Sequence, residues 1–145
     1  MIDSRTAPYA ALLLRLTLGY LAIAHLYYKF FVVPNGLDGW WTNLNNNGYP
    51  DFVVYYVLSA EFAGALLLIP GIYARYVALY AVPLMLSAAQ YWFVRKGFFF
   101  TVAGAELPTF WTIGLITLGL LGDGAYALVP SPKLPLIGQR RAVHA

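Results

Sequence analysis

The chain contains no cysteine, which removes disulfides, thiolate nucleophiles, thiolate-held iron–sulfur clusters and CxxC redox chemistry from its repertoire. Charge is the second scarcity. Of 145 residues only 10% are charged, against about 25% in a soluble domain. That is too little to cover the surface of a globule, so lipid has to serve as solvent over much of it. Histidine is sparse as well: His25 and His144 lie far apart. Haem with two histidine ligands is excluded within one copy, and no metal site is expected without ligands from a partner. The sequence also lacks a Ser–His–Asp arrangement, a phosphate loop and a nucleotide fingerprint.

What remains is mostly apolar: 61% hydrophobic residues, with aromatics making up 17% of the chain. This composition predicts an all-α integral membrane protein, a four-helix bundle forming a single domain over residues 1–145. Four helices of about 20 residues use some 80–90 residues and leave no room for a second domain. Helices are expected at about 8–33, 51–69, 73–94 and 108–129, joined by outer loops at 34–50 and 97–107 and followed by a tail from 130 to 145. The first stretch carries Arg15, His25 and Lys29 and no small-residue cleavage site, so it is expected to be a retained helix rather than a cleaved signal. Pro70-Gly71 ends the second helix, and Pro83 is expected to kink the third.

Lys and Arg set the orientation. Arg5, Arg75, Lys133, Arg140 and Arg141 collect on one side, and only Lys29, Arg95 and Lys96 on the other. Both termini are therefore expected on the cytoplasmic side. Basic residues at helix ends also account for the net charge of +3 without a nucleic-acid partner, and membrane lipid is the expected surrounding. Aromatics such as Tyr27, Phe31, Trp40, Trp41, Trp92, Phe98 and Trp111 gather toward the outer side. An interfacial belt would appear at both faces, so the excess there suggests an aromatic-walled cavity or a partner surface.

Ionisable groups inside a membrane helix cost several kcal/mol unless paired, which makes them functional candidates. Arg15, His25 and Lys29 share one helical face with Leu18 and Ala22. At a rise of about 1.5 Å per residue, Glu61 lies roughly 15 Å deep, almost level with His25, and Arg15 lies within side-chain reach of it. Gln90 lies about 7 Å from the outer edge. Two readings follow. In one, Arg15 pairs with Glu61, Glu106 neutralises Lys29 or Arg95 in an outer charge cluster, and His25 bonds a backbone carbonyl, all to fix packing. In the other, His25, Glu61 and Gln90, with Arg15 tuning the charge of Glu61, line a pocket for a quinone or lipid. There His25 or Glu61 would be the catalytic candidate, because a quinone needs hydrogen-bond partners, a proton acceptor and flat apolar walls. Ala60 and Gly64 form a small-xxx-small pair beside Glu61 that lets another helix approach.

Three stretches resemble the DoxX family of small four-helix bacterial membrane proteins. Arg15-Leu16-Thr17-Leu18-Gly19, followed by His25-Leu26-Tyr27-Tyr28-Lys29, is similar to the family's RLxLG and HxxxK pattern. Glu61, in a helix that ends Leu68-Ile69-Pro70-Gly71, is similar to its E…GLLLILG segment. Glu106 before the last helix, with Gly122-Asp123-Gly124-Ala125-Tyr126-Ala127-Leu128, resembles its closing GxGxYSLD, from which Ala127 and Val129 depart. The resemblance implies a four-helix bundle in the respiratory or redox membrane of a bacterium. The family takes its name from similarity to a subunit of a thiosulfate:quinone oxidoreductase, which implies quinone as a non-covalent ligand. The leading expectation is a non-catalytic, accessory or quinone-interacting membrane subunit of an oxidoreductase complex, bound to partner subunits. A stand-alone quinone-reactive component, a small-solute transporter and a purely structural membrane protein are the alternatives. A transporter is disfavoured by four short helices without inverted repeats.

Overall fold

The computed structural model describes residues 3–134; the expected roles of Arg140, Arg141 and His144 fall outside them. Among the described residues there are five α-helices and no strand beyond a single bridge between Ile72 and Val129. Helix α1 runs Ala7–Tyr27, with Pro8 in its first turn, and continues as a π-helical turn at Tyr28–Val32. Helix α2 is Gly36–Asn46, and α3 is Asp51–Ala63, extended by a second π-helical turn at Gly64–Leu68. Helix α4 covers Ala74–Lys96 and α5 covers Glu106–Leu121.

Three of these are long and apolar enough to cross a membrane: Ala7–Val32, Asp51–Leu68 and Ala74–Lys96. At 16 residues α5 is apolar but shorter, about 24 Å against a hydrocarbon core of about 30 Å. The fourth helix was expected to extend as far as Val129 and stops instead at Leu121, where Gly122 (φ +93°) and Gly124 (φ +75°) turn the backbone into the left-handed half of φ space. The outer loop at 34–50 is corrected too, because most of it is helix. Leu37, Trp40, Trp41 and Leu44, at i, i+3, i+4 and i+7, are half-buried, while Asp38, Thr42, Asn43 and Asn46 face out. That amphipathic stripe outweighs the Gly and Asn content. The Trp41 indole and the Asn45 amide both donate to Asp51 Oδ1, at 2.8 and 3.1 Å, and tie α2 to the start of α3.

The helices meet where side chains are small. A Cβ on Gly19 would come 2.8 Å from Ile69, and one on Gly119 would come 2.5 Å from Leu79, so α1 packs on the end of α3 and α5 on α4 through their glycines. Gly64 faces Ala22 in the way its small-residue pattern predicts. The shared core is thin: Ala11, Leu18, Leu68, Val77, Met85 and Leu118 are among its few buried members. Leu13, Phe52, Leu66, Phe110 and Leu120 point outward, an arrangement that costs little only where lipid is the solvent. Helix α4 runs unbroken through Pro83, and the Tyr56 hydroxyl donates to the Tyr80 carbonyl, at 2.6 Å, in the turn that the proline disturbs.

Candidate functional site

Glu61 sits on α3 with its side chain 5% exposed, and the Lys29 ammonium, equally buried, donates to its Oε1. Neither charge is tolerable alone at this depth, and each supplies the other's compensation. Trp40 of α2 covers Lys29, with the ammonium 4.8 Å from the ring centroid. Both members lie at or next to a π-helical turn: Lys29 inside Tyr28–Val32, and Glu61 three residues before Gly64–Leu68. Such turns place an extra residue in the helix and are frequent at functional sites.

His25 completes the group. It lies one turn before Lys29 on α1, and its Nδ1 is 3.7 Å from the same Glu61 Oε1, beyond direct hydrogen-bonding distance. Its side chain is 47% exposed at the bundle surface. The imidazole packs on Trp111 of α5 with ring centroids 4.7 Å apart. Glu61 Oε2 is buried and has no hydrogen-bond partner among the described residues. Beside these groups is a cavity of about 30 Å³, lined by His25 and Glu61 and walled by Leu18, Ala22, Gly64 and Trp111 among others. That is room for about one water molecule, and Trp111 is its one aromatic wall.

Of the candidates drawn from the sequence, His25 and Lys29 gather at Glu61 and the others do not. Gln90 is exposed on α4 and does not line the cavity. Arg15 precedes His25 by ten residues, about 15 Å along the helix, and so cannot pair with Glu61 as expected. The outer charge cluster also dissolves into separate contacts. Arg95 donates to Asn47 Oδ1 at 3.0 Å and stacks 3.7 Å over Tyr91. Glu106 Oε2 accepts the Phe100 amide at 2.9 Å, in the first turn of α5. Lys29 is drawn inward by the buried carboxylate instead.

Arg15 anchors a second polar group at the opposite end of the bundle. Its guanidinium is buried and donates to the carbonyls of Asp123 (2.6 Å) and Ala125 (3.3 Å). The Asp123 carboxylate accepts from the Arg75 amide (3.2 Å), the Ser131 hydroxyl (2.7 Å) and the Ser131 amide (2.7 Å). It thereby serves the first turn of α4, whose N-cap Tyr73 offers no side-chain cap. Backbone bonds from Ala125 to Pro8, Leu128 to Pro70 and Val129 to Gly71 close this clasp. Gly71 is required there, because a Cβ would lie 2.3 Å from Arg15 Nη1. The sequence reading passed over Asp123. Its signal was an aspartate between two glycines, opposite an arginine that needed acceptors.

Burial disfavours the charged form of Asp123, but hydrogen bonds from Ser131 and from the Arg75 and Ala74 amides outweigh it and hold its pKa below the ordinary carboxylate value. A lowered pKa contributes stability that is present above the unfolded value, about 3.9, and is lost as pH falls through the folded one. Acid unfolding followed by tryptophan fluorescence is therefore expected to become shallower in Asp123→Asn, which has no carboxylate to titrate. An unchanged acid limb would show that the clasp does not depend on this charge.

The family model for DoxX matches residues 10–103, a stretch that contains Arg15, His25, Lys29 and Glu61 together. The chain belongs to the DoxX family. No curated protein and no solved structure gives a significant match. DoxX membership and the apolar helices agree on a multi-pass membrane protein. The part of this DoxX chain beyond residue 103, which includes Trp111 and Asp123, completes both polar groups from outside the matched region. Among its described residues no three His, Asp or Glu side chains converge in a way that would hold a metal ion.

Proposed function

We propose that the chain is an accessory, quinone-interacting membrane subunit of a respiratory or redox oxidoreductase complex. In this reading α5 is the fourth span, and both termini face the cytoplasm from a bacterial inner membrane. The observation that carries the reading is His25: a half-exposed imidazole at the bundle surface, packed at a tilt against Trp111 and backed by a buried carboxylate.

A cavity of about 30 Å³ admits one water rather than a quinone ring, so the ligand belongs outside it, approaching from the lipid. There His25 offers a hydrogen bond to a carbonyl and Trp111 a flat wall. Electron and proton exchange is the chemistry that a quinone supplies when bound. This chain's part is to position the head group and to keep Glu61 and Lys29 behind His25. A chain without thiols leaves the redox centre to a partner.

The test is gentle purification from native membranes with mass spectrometry of both co-purifying proteins and extracted lipids. A stoichiometric oxidoreductase or cytochrome partner and bound quinone are expected with the wild type. His25→Ala is expected to keep the partner and lose about tenfold of the quinone, the worth of one good hydrogen bond. Recovery of the chain alone, free of quinone, would sink the proposal.

A further inference from the structure

Three features of the Glu61 site have one explanation in common. Glu61 Oε2, in a side chain only 5% exposed, is buried without a hydrogen-bond partner among the described residues. Buried polar atoms are rarely left so, and an ordered water is the usual reason. The second feature is the His25 Nδ1 to Glu61 Oε1 separation of 3.7 Å, too long for a hydrogen bond and short enough for both groups to reach one water. The third is the cavity of about 30 Å³ that both residues line. Its volume suits a single water, and it offers the two or more polar partners a water requires.

We infer that this cavity binds one water, bridging Glu61 and His25, and that the bridge lets a proton pass between the lipid-facing imidazole and the buried carboxylate. Among the described residues His25 and Glu61 are the only ionisable groups lining the cavity; the lining side chains from α1, α3, α4 and α5 that complete it are apolar or glycine. Lys29 faces Glu61 from the side, on Oε1. The transfer balances as follows. Protonated His25 gives its Nδ1 proton to the water, the water gives one of its own to Glu61, and neutral imidazole, carboxylic acid and the unchanged Lys29 ammonium remain. Total charge at the site is conserved, but the buried Lys29 ammonium then faces a neutral acid, which drives the proton back and makes the Glu61 carboxylic acid a transient stop on the route. The inference rests on the same site as the quinone reading and gives His25 a route for a proton received from such a ligand. It requires no quinone to be tested, so either can fail alone.

The experiment is infrared difference spectroscopy on the whole chain in lipid nanodiscs without quinone, stepping pH through the histidine range in ordinary water and in H₂¹⁸O. A single bridging water with one O–H left free in the apolar cavity is expected as a sharp O–H stretching band that shifts with ¹⁸O, accompanied by a shift of a carboxylate band that Glu61→Gln abolishes. Gly64→Ala keeps every ionisable group and adds a methyl 3.0 Å from Ala22 Cβ at the cavity wall. It is expected to remove the ¹⁸O-sensitive band and to slow exchange of the His25 ring proton at least about tenfold, measured by nitrogen-15 NMR. Absence of the ¹⁸O-sensitive band from the wild type overturns the inference, and that outcome depends on no variant folding. Persistence of the band in a folded Gly64→Ala protein, or a carboxylate band shift that survives Glu61→Gln, overturns it as well.

Discussion

Replacing Glu61 by alanine is expected to cost about 3–5 kcal/mol, because it strands the Lys29 ammonium in a buried position with no counter-charge. In a chain of this length that corresponds to a fall of roughly 10 °C or more in thermal midpoint. The double replacement Lys29→Met with Glu61→Leu removes both charges and fills similar volume. It is expected to recover most of the loss, since a buried pair exchanged for apolar groups is often neutral or better. Thermal unfolding in one detergent, monitored by tryptophan fluorescence, compares the three proteins directly. A double variant no more stable than Glu61→Ala would mean that the carboxylate supports the fold through something other than Lys29. A double variant that folds well and retains no quinone would separate the structural and the ligand-related work of the same side chains.

The second large effect is expected at Arg15. Its side chain is 1% exposed and holds the carbonyls of Asp123 and Ala125. Arg15→Ala leaves both acceptors unsatisfied, opens a void among the helix ends, and removes a cation that attracts the Asp123 carboxylate. Hydrogen bonds to a charged donor are worth about 1.5–3 kcal/mol each, so a loss of roughly 3–5 kcal/mol is expected. Arg15→Lys keeps the charge without the planar fork and should recover only part of it. Limited proteolysis locates the damage. Cleavage near Gly122–Val129 should rise in Arg15→Ala and stay at the wild-type level in Glu61→Ala. Equal cleavage in both would argue against a separate clasp.

Much of this architecture can be read from the residues. Scarce charge, long apolar stretches and Pro70-Gly71 identify the membrane-crossing helices, and equal depth on neighbouring helices brings His25 to Glu61. Partner choice is less legible. A depth estimate places a side chain within a few ångströms, and in that range Arg15 was expected at Glu61 and Glu106 at Lys29 or Arg95, whereas Lys29 takes Glu61. Which cation wins depends on a π-helical turn at Tyr28–Val32 and on acceptors at Asp123 and Ala125, more than a hundred residues away in sequence. Neither leaves a periodic trace. Helix α2 was legible in principle: Leu37, Trp40, Trp41 and Leu44 mark a helical face. The glycines and asparagines between them pointed to a loop, and packing of the two half-buried tryptophans against Lys29 and Asp51 decided the outcome.

The π-helical turns carry a consequence for how the chain tolerates insertion and deletion. Each accommodates one residue more than an α-helix would over the same rise, and one residue corresponds to about 100° of rotation. Removing a residue from Gly64–Leu68 would let α3 close into uniform α geometry. The half bearing Glu61 would stay in place and Gly71 would keep facing Arg15, whereas a deletion in the α-helical part of α3 would swing Gly71 through about a quarter-turn. The two turns thus act as phase shifters. They allow the ion pair at one end of the bundle and the clasp at the other to be aimed separately, although the same helices run through both.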